Sequence, residues 1–182
     1  MSNGNKKDIM NELRPMRLSQ LKVEARLLHK NFKSDFDNSV NKYLNHPFFK
    51  NLSSTQIEKK GKNIQLKDVY HIIASEYGFS RWEDLKRYVV KNDMLFRSNG
   101  IGLIHKWFKN YTEASKYHIK YGGYLLQFWA DFVICGIEYI QLIELHHYAE
   151  EWEAIGYNWI EPTDKQAFQK LYQKAILQYN IL

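Results

Sequence analysis

Residues 124–135 read Tyr124-Leu125-Leu126-Gln127-Phe128-Trp129-Ala130-Asp131-Phe132-Val133-Ile134-Cys135. Two short runs of aromatic and branched residues flank Ala130-Asp131, which is the pattern of two strands joined by a tight turn. Most of the chain around them carries helical spacing, so this hairpin decides the fold class. The expectation is α+β, with a helical N-terminal module and a C-terminal unit of helices around a short antiparallel sheet. Leu103 to Phe108 alternates loosely and is a third strand candidate. Thr112 to Tyr121 reads as a helix stopped by Gly122-Gly123, and Ile137 to His147 reads as another. Trp152 to Pro162 reads as an aromatic loop. Pro162-Thr163-Asp164 then opens a last helix with Phe168, Leu171, Tyr172 and Ala175 on one face.

Upstream of the hairpin the signals are helical throughout. Leu18, Leu21, Ala25, Leu28 and Phe32 make one apolar stripe, with Ser19 as the expected N-cap. Asp35 to Leu44 predicts a short helix ended before Pro47. Asn51 to Asn63 is polar and lysine-rich and reads as a solvated connector. Leu66, Val69, Ile72 and Ile73 give another helix, closed by Tyr77-Gly78. Ser80 with Glu83 then forms the expected capping box of a helix that turns Trp82, Leu85 and Val89 inward.

Charge and aromatic content divide the chain. Residues 1–95 hold 18 Lys/Arg against 11 Asp/Glu, whereas residues 96–182 hold 8 against 9. The front part has 10 aromatic residues and the back part 18, including four of the five tryptophans. Two units follow: a basic helical module over 1–95 and an aromatic-rich α+β unit over 96–182, with turn residues Arg97 to Gly102 near the join. With 45% hydrophobic and 25% charged residues, wholly disordered and collagen-like chains are excluded. No apolar run is long enough for a membrane span, and Met1 to Asp8 lacks the apolar core of a secretory signal. A cytoplasmic protein with no membrane association is the expectation. Cys135 is the sole cysteine, so no internal disulfide can form, and one thiol cannot by itself build a zinc site.

Ile73-Ala74, Glu76-Tyr77-Gly78-Phe79, Trp82 and Leu85-Lys86 form a pattern that, with Leu18 to Leu28 ahead of it, resembles a small helical module of bacterial proteins. Those proteins often continue into ankyrin repeats or glyoxalase-like domains. The resemblance covers roughly the first half of the chain and implies an accessory or docking role with no active site. Gly123-Tyr124-Leu125-Leu126, Trp152, Ile155-Gly156 and Trp159 are similar to segments of uncharacterised bacterial proteins, and that similarity brings no function with it.

Residues 65–90 also have helix-turn-helix spacing. Ala74 is small where two helices would meet, Gly78 makes the turn, and Arg81, Lys86 and Arg87 would face a major groove. A basic half-chain favours phosphate, but Glu83 and Asp84 beside these cations oppose it. The plainer reading of Ala74 and Gly78 is tight helix packing and a C-cap.

Catalytic and metal signals are sparse. His146-His147 with Glu150, Glu151 and Glu153 offers pairs four residues apart, which is common on ordinary helix surfaces, and no metal is expected from it. Cys135 follows Phe132-Val133-Ile134 and reads as a small core residue. As a nucleophile it would need His105 or His118 brought near by the fold. Phosphate-binding and dinucleotide fingerprints are absent and no cofactor is expected.

The back part holds more rings than a small core needs. Trp107, Trp129, Trp152, Tyr157 and Trp159 are therefore the expected interaction residues. Three readings follow. The first is a non-enzymatic protein-interaction module that docks a protein partner or its own copy. The second is DNA binding through Arg81, Lys86 and Arg87. The third is a small enzyme with a pocket between the two halves, using His105, His118 or Cys135.

Overall fold

A computed structural model describes residues 15–181, with side chains through residue 179; Met1 to Asp8, read above for a signal segment, lies outside them. The chain divides into two compact units, Met1–Val89 and Val90–Leu182.

In the first unit, Leu18, Leu21, Ala25 and Phe32 fall on one side of α1 (Leu18–Ser34), and all four are buried. That stripe packs against α2 (Phe36–Tyr43), α3 (Ser54–Lys62) and α4 (Leu66–Glu76). Rings fill the join: Phe32 meets Tyr43 at 5.8 Å and Phe49 at 5.9 Å between centroids. The N-cap of α1 is Arg17, not Ser19, because the Gln20 side chain accepts the Arg17 N–H at 2.7 Å and fixes the first turn one step earlier.

The expected connector 51–63 contains α3. Ser53 Oγ accepts the Gln56 N–H, and Gln56 Oε1 accepts the Ser53 N–H at 2.8 Å, a reciprocal capping box that starts a helix despite its polar content. Gly61 is buried in α3 because the Phe36 ring occupies the space a Cβ would need.

At the end of α4 the Phe79 N–H reaches Ala74 O and the Gly78 N–H reaches Ser75 O, with Gly78 at φ +79°. This is a Schellman stop, and its left-handed position suits glycine. The helix α5 (Trp82–Asp93) starts at Trp82, one turn residue later than a Ser80 cap requires. Arg81 stands at its entrance and binds the Asp84 carboxylate. The Trp82 ring stacks on Tyr70 of α4 at 4.3 Å.

The second unit is an α+β arrangement with a three-stranded antiparallel sheet, ordered β1 (Ile104–Phe108), β3 (Asp131–Cys135), β2 (Tyr124–Phe128). A 3-10 helix, Ser98–Leu103, leads into β1. Helix α6 (Tyr111–Tyr121) lies on one sheet face, where Ala114, Leu125 and Ile134 are sealed beneath Phe108, Tyr111, Tyr117 and Phe132. Asn110 Oδ1 accepts the Glu113 N–H at 2.9 Å and caps α6.

Helix α7 (Ile137–Leu142) is shorter than expected. The Leu145 N–H bonds Ile140 O and the Glu144 N–H bonds Gln141 O, with Glu144 itself at φ +58°. A Schellman stop carried by a glutamate has no glycine to announce it. His146 and His147 consequently sit in a turn, not on a helix, which removes the four-residue pairing with Glu150 and Glu151. The expected loop from Trp152 contains the second half of α8 (Ala149–Ala154), closed by Gly156 at φ +65° through its N–H to Glu153 O. Asp164 Oδ1 accepts the N–H groups of Gln166 and Ala167 and starts α9 (Lys165–Ile181), which packs on α8.

The two sheet edges differ. Along β2, Leu125 exchanges backbone hydrogen bonds with Tyr157 and Trp159 at 2.9 and 3.0 Å, so residues 157–159 cover that edge. Along β1, the register shifts between Ile104 and Lys106, so His105 is an extra, bulged residue. A bulge and a lysine on a short edge strand both discourage further strand pairing. Among the described residues, no helix is long and apolar enough to cross a membrane.

Candidate functional site

Hydrogen-bonding and packing demands decide where the tryptophans lie. Trp152 is 0% exposed; its Nε1–H donates to Leu145 O at 3.0 Å and its ring meets Tyr124 edge-on at 5.1 Å. Trp129 is 8% exposed at φ +54°, with its indole N–H donated to Asp93 Oδ1 at 3.3 Å and its backbone N–H to Asn92 O at 3.2 Å. Asp93 is itself buried and also accepts the Tyr179 hydroxyl at 2.9 Å. The hairpin turn thus has a bulky residue in a left-handed conformation, held by tertiary hydrogen bonds. Trp152 and Trp129 are core residues, which corrects their expected place on a contact face. Trp159 is 7% exposed and borders a cavity. Trp107 at 44% and Tyr157 at 37% do reach solvent. The Trp107 ring leans on Phe128 at 5.8 Å.

The cavity is a cleft of about 520 Å³ within the C-terminal unit. Its aromatic wall is Trp159 with Phe168 and Tyr172 of α9. Phe168 stands edge-on to Trp159 at 5.0 Å, and the Tyr172 plane lies 26° from that of Trp159 at 6.4 Å. Gln127 from β2, Lys91 and Asn92 from the end of α5, and Gln169 from α9 complete the lining with Ile160. Local structure places each group. Phe168 and Tyr172 are four residues apart and share a face of α9. Trp159 is fixed by its backbone bond to Leu125. Gln127 is oriented by donating Nε2–H to Trp129 O at 2.9 Å. Asn158, next to Trp159, accepts the Ile160 and Glu161 N–H groups and donates to the Tyr111 hydroxyl, which anchors the loop to α6. Of the residues singled out in the sequence for interaction, only Trp159 lines this cleft. Phe168 and Tyr172 read as core-facing residues of a helix, and nothing in sequence order connects them to Gln127 or Lys91.

The residues expected for an enzyme pocket have structural duties. Cys135 is fully buried; its thiol donates to Tyr124 O at 3.7 Å, and burial pushes it up to about 12, with Glu138 adding to the effect. A thiol so raised is almost wholly protonated near neutrality and is a poor nucleophile. His118 bonds Gly123 O at 3.0 Å through Nε2, and burial lowers its proton affinity. His105 is the exposed bulge residue of β1. His146 and His147 stack at 3.8 Å, and no group of three or more His, Cys, Asp or Glu among the described residues is arranged to hold a metal ion.

In the N-terminal unit the cations of the DNA reading are engaged locally. Arg81 makes a two-pronged contact to Asp84 at 2.9 and 3.0 Å, Arg87 reaches Asp84 at 3.6 Å, and Lys86 reaches Glu83 at 3.5 Å. A titratable group not read from the sequence gathers from three helices: Glu24, Lys42, Tyr43 and Glu76. Burial raises both carboxyls, Lys42 opposes this, and the Tyr43 phenol is raised to about 12, first by burial and then by the neighbouring glutamates.

The chain matches no protein-family model, no curated protein and no solved structure.

Proposed function

We propose that the protein is a non-enzymatic protein-interaction module whose C-terminal unit docks a polypeptide partner in the Trp159 cleft. One observation carries this reading: a concavity whose wall is aromatic and whose remaining lining is mostly side-chain amide. Large rings bury much area while losing little rotamer freedom, and they dominate the energetics of protein contacts. Side-chain amides match the peptide backbone, offering both a donor and an acceptor to it. The volume falls within the range of formed ligand sites. The raised thiol of Cys135 and the backbone-bound ring of His118 lend no support to the enzymatic reading.

The test is a random peptide library displayed on phage and panned against the full chain, then against Lys91→Glu and Gln169→Glu. Both positions are exposed and line the cleft, so these variants alter it without touching the core. The expected result is enriched peptides that bind either variant about tenfold more weakly. No enrichment, or equal binding to the variants, overturns the proposal.

A further inference from the structure

We infer that the exposed side of α1 docks an acidic segment of a partner protein, one that sets carboxylates beside apolar side chains. This surface belongs to the N-terminal unit, shares no residue with the Trp159 cleft and does not depend on the reading of that cleft.

Helical geometry builds the surface. The buried Leu18, Leu21, Ala25 and Phe32 define the inner side of α1. Lys22, Arg26 and Lys30 stand four residues apart, so they form a row along one flank with a cation about every 6 Å, and Lys33 extends it. All four are exposed. Val23 and Leu27 run beside that row and point away from the buried side. They are the two most exposed large apolar side chains described in the N-terminal unit.

The carboxylates of that unit are committed elsewhere. Glu24, the one acid in α1, interacts with Lys42, as does Glu76. Asp35 accepts the Asn38 amide and Asp68 accepts the Gln65 N–H, both at 2.9 Å. Asp37 and Glu58 act on Lys62, and Glu83 and Asp84 hold Arg81, Lys86 and Arg87. None of the four cations of the α1 row has an ion pair among the described residues. A row of uncompensated cations attracts an anionic partner and repels a second copy of itself.

The apolar row selects among anionic partners. A nucleic-acid backbone meets the cations but has no use for Val23 and Leu27, and α1 exposes no aromatic ring on which a base could stack. An anionic bilayer accepts both rows, yet Val23 and Leu27 together bring fewer carbons than one myristoyl chain, itself a marginal anchor. A helical segment with Asp or Glu recurring every fourth residue and Leu or Val beside each satisfies both rows, because its repeat along the axis is that of α1.

The deciding experiment titrates the full chain into a fluorescein-labelled helical peptide in which glutamate recurs every fourth residue with leucine beside it, and follows anisotropy. A duplex oligonucleotide and phosphatidylserine vesicles are titrated in parallel. Lys22→Gln with Arg26→Gln and Lys30→Gln, and separately Val23→Ser with Leu27→Ser, should each weaken peptide binding about tenfold. Changing the peptide's glutamates to glutamine tests the same charges on the unaltered chain and should cost as much. Gln169→Glu, which alters the cleft, should leave this binding unchanged, so either surface can fail without the other. No peptide binding, or equal binding to the α1 variants, overturns the inference. Tighter binding of the oligonucleotide or the vesicles through the same α1 residues overturns it as well.

Discussion

The two units place their aromatic residues differently. In the N-terminal unit the rings settle helix joints: Phe32 against Tyr43 and Phe49, Tyr70 against Trp82, Phe79 against Tyr88. In the C-terminal unit one set of rings is core, with Trp152, Tyr139 and Phe128 at its centre, and a second set lines a concavity beside amides and a lysine. Ring number alone therefore does not mark a binding surface. What separates the two sets is their neighbours: other rings in the core, amides and a lysine around the cavity.

Four substitutions test that contrast, beginning with the largest effect. Trp152→Ala removes a fully buried indole and its hydrogen bond and should destabilise by about 3–5 kcal/mol in denaturant titration; a loss below about 1 kcal/mol would show the ring to be peripheral. Tyr139→Phe is next. The Tyr139 hydroxyl donates to Leu95 O at 2.8 Å and accepts the Arg97 N–H at 2.9 Å, all of it buried. Its removal strands two backbone groups and should lower the midpoint by about 1–3 kcal/mol equivalent, leaving the denaturant slope unchanged. Gly61→Ala asks whether the helical unit is equally tight. Helix propensity favours alanine by about 1 kcal/mol, but the Phe36 ring stands in the way and overpacking costs about 1–3 kcal/mol, so net destabilisation is expected. A gain in stability would show that Phe36 moves aside freely. Trp107→Ala closes the series at about 0.5–1 kcal/mol, since its ring is half in solvent and rests on Phe128 alone among the described rings.

The elements legible in the sequence were those announced by local chemistry. Period-two runs around a tight turn gave the β2–β3 hairpin, and Gly78 and Gly122 stand at helix ends. What was missed has identifiable causes. The Ser53–Gln56 box was present but lay in a lysine-rich stretch whose apolar content was too low to suggest a helix. The end of α7 depends on Glu144 in a left-handed conformation that glutamate rarely adopts, so no glycine marks the stop. The cleft joins residues 91, 127, 159 and 172, and no local periodicity reports such a meeting. The surplus of rings was visible; that three of the five chosen rings are buried was not, because Trp129 and Trp152 find partners for their N–H groups only in the folded unit.

The paired cations of α5 have an electrical consequence. Arg81, at the entrance of α5, and Lys86 and Arg87 within it each stand within 3.6 Å of a carboxylate of that helix. At a distance such pairs act as small dipoles, whose potential falls faster than that of isolated charges, and at physiological salt screening sets in within about 8 Å. The three cations share two carboxylates, Asp84 and Glu83, so an approaching polyanion would sense about one uncompensated charge from this set until it is nearly touching the helix. To be gripped there it would have to displace aspartate and glutamate from partners they already hold.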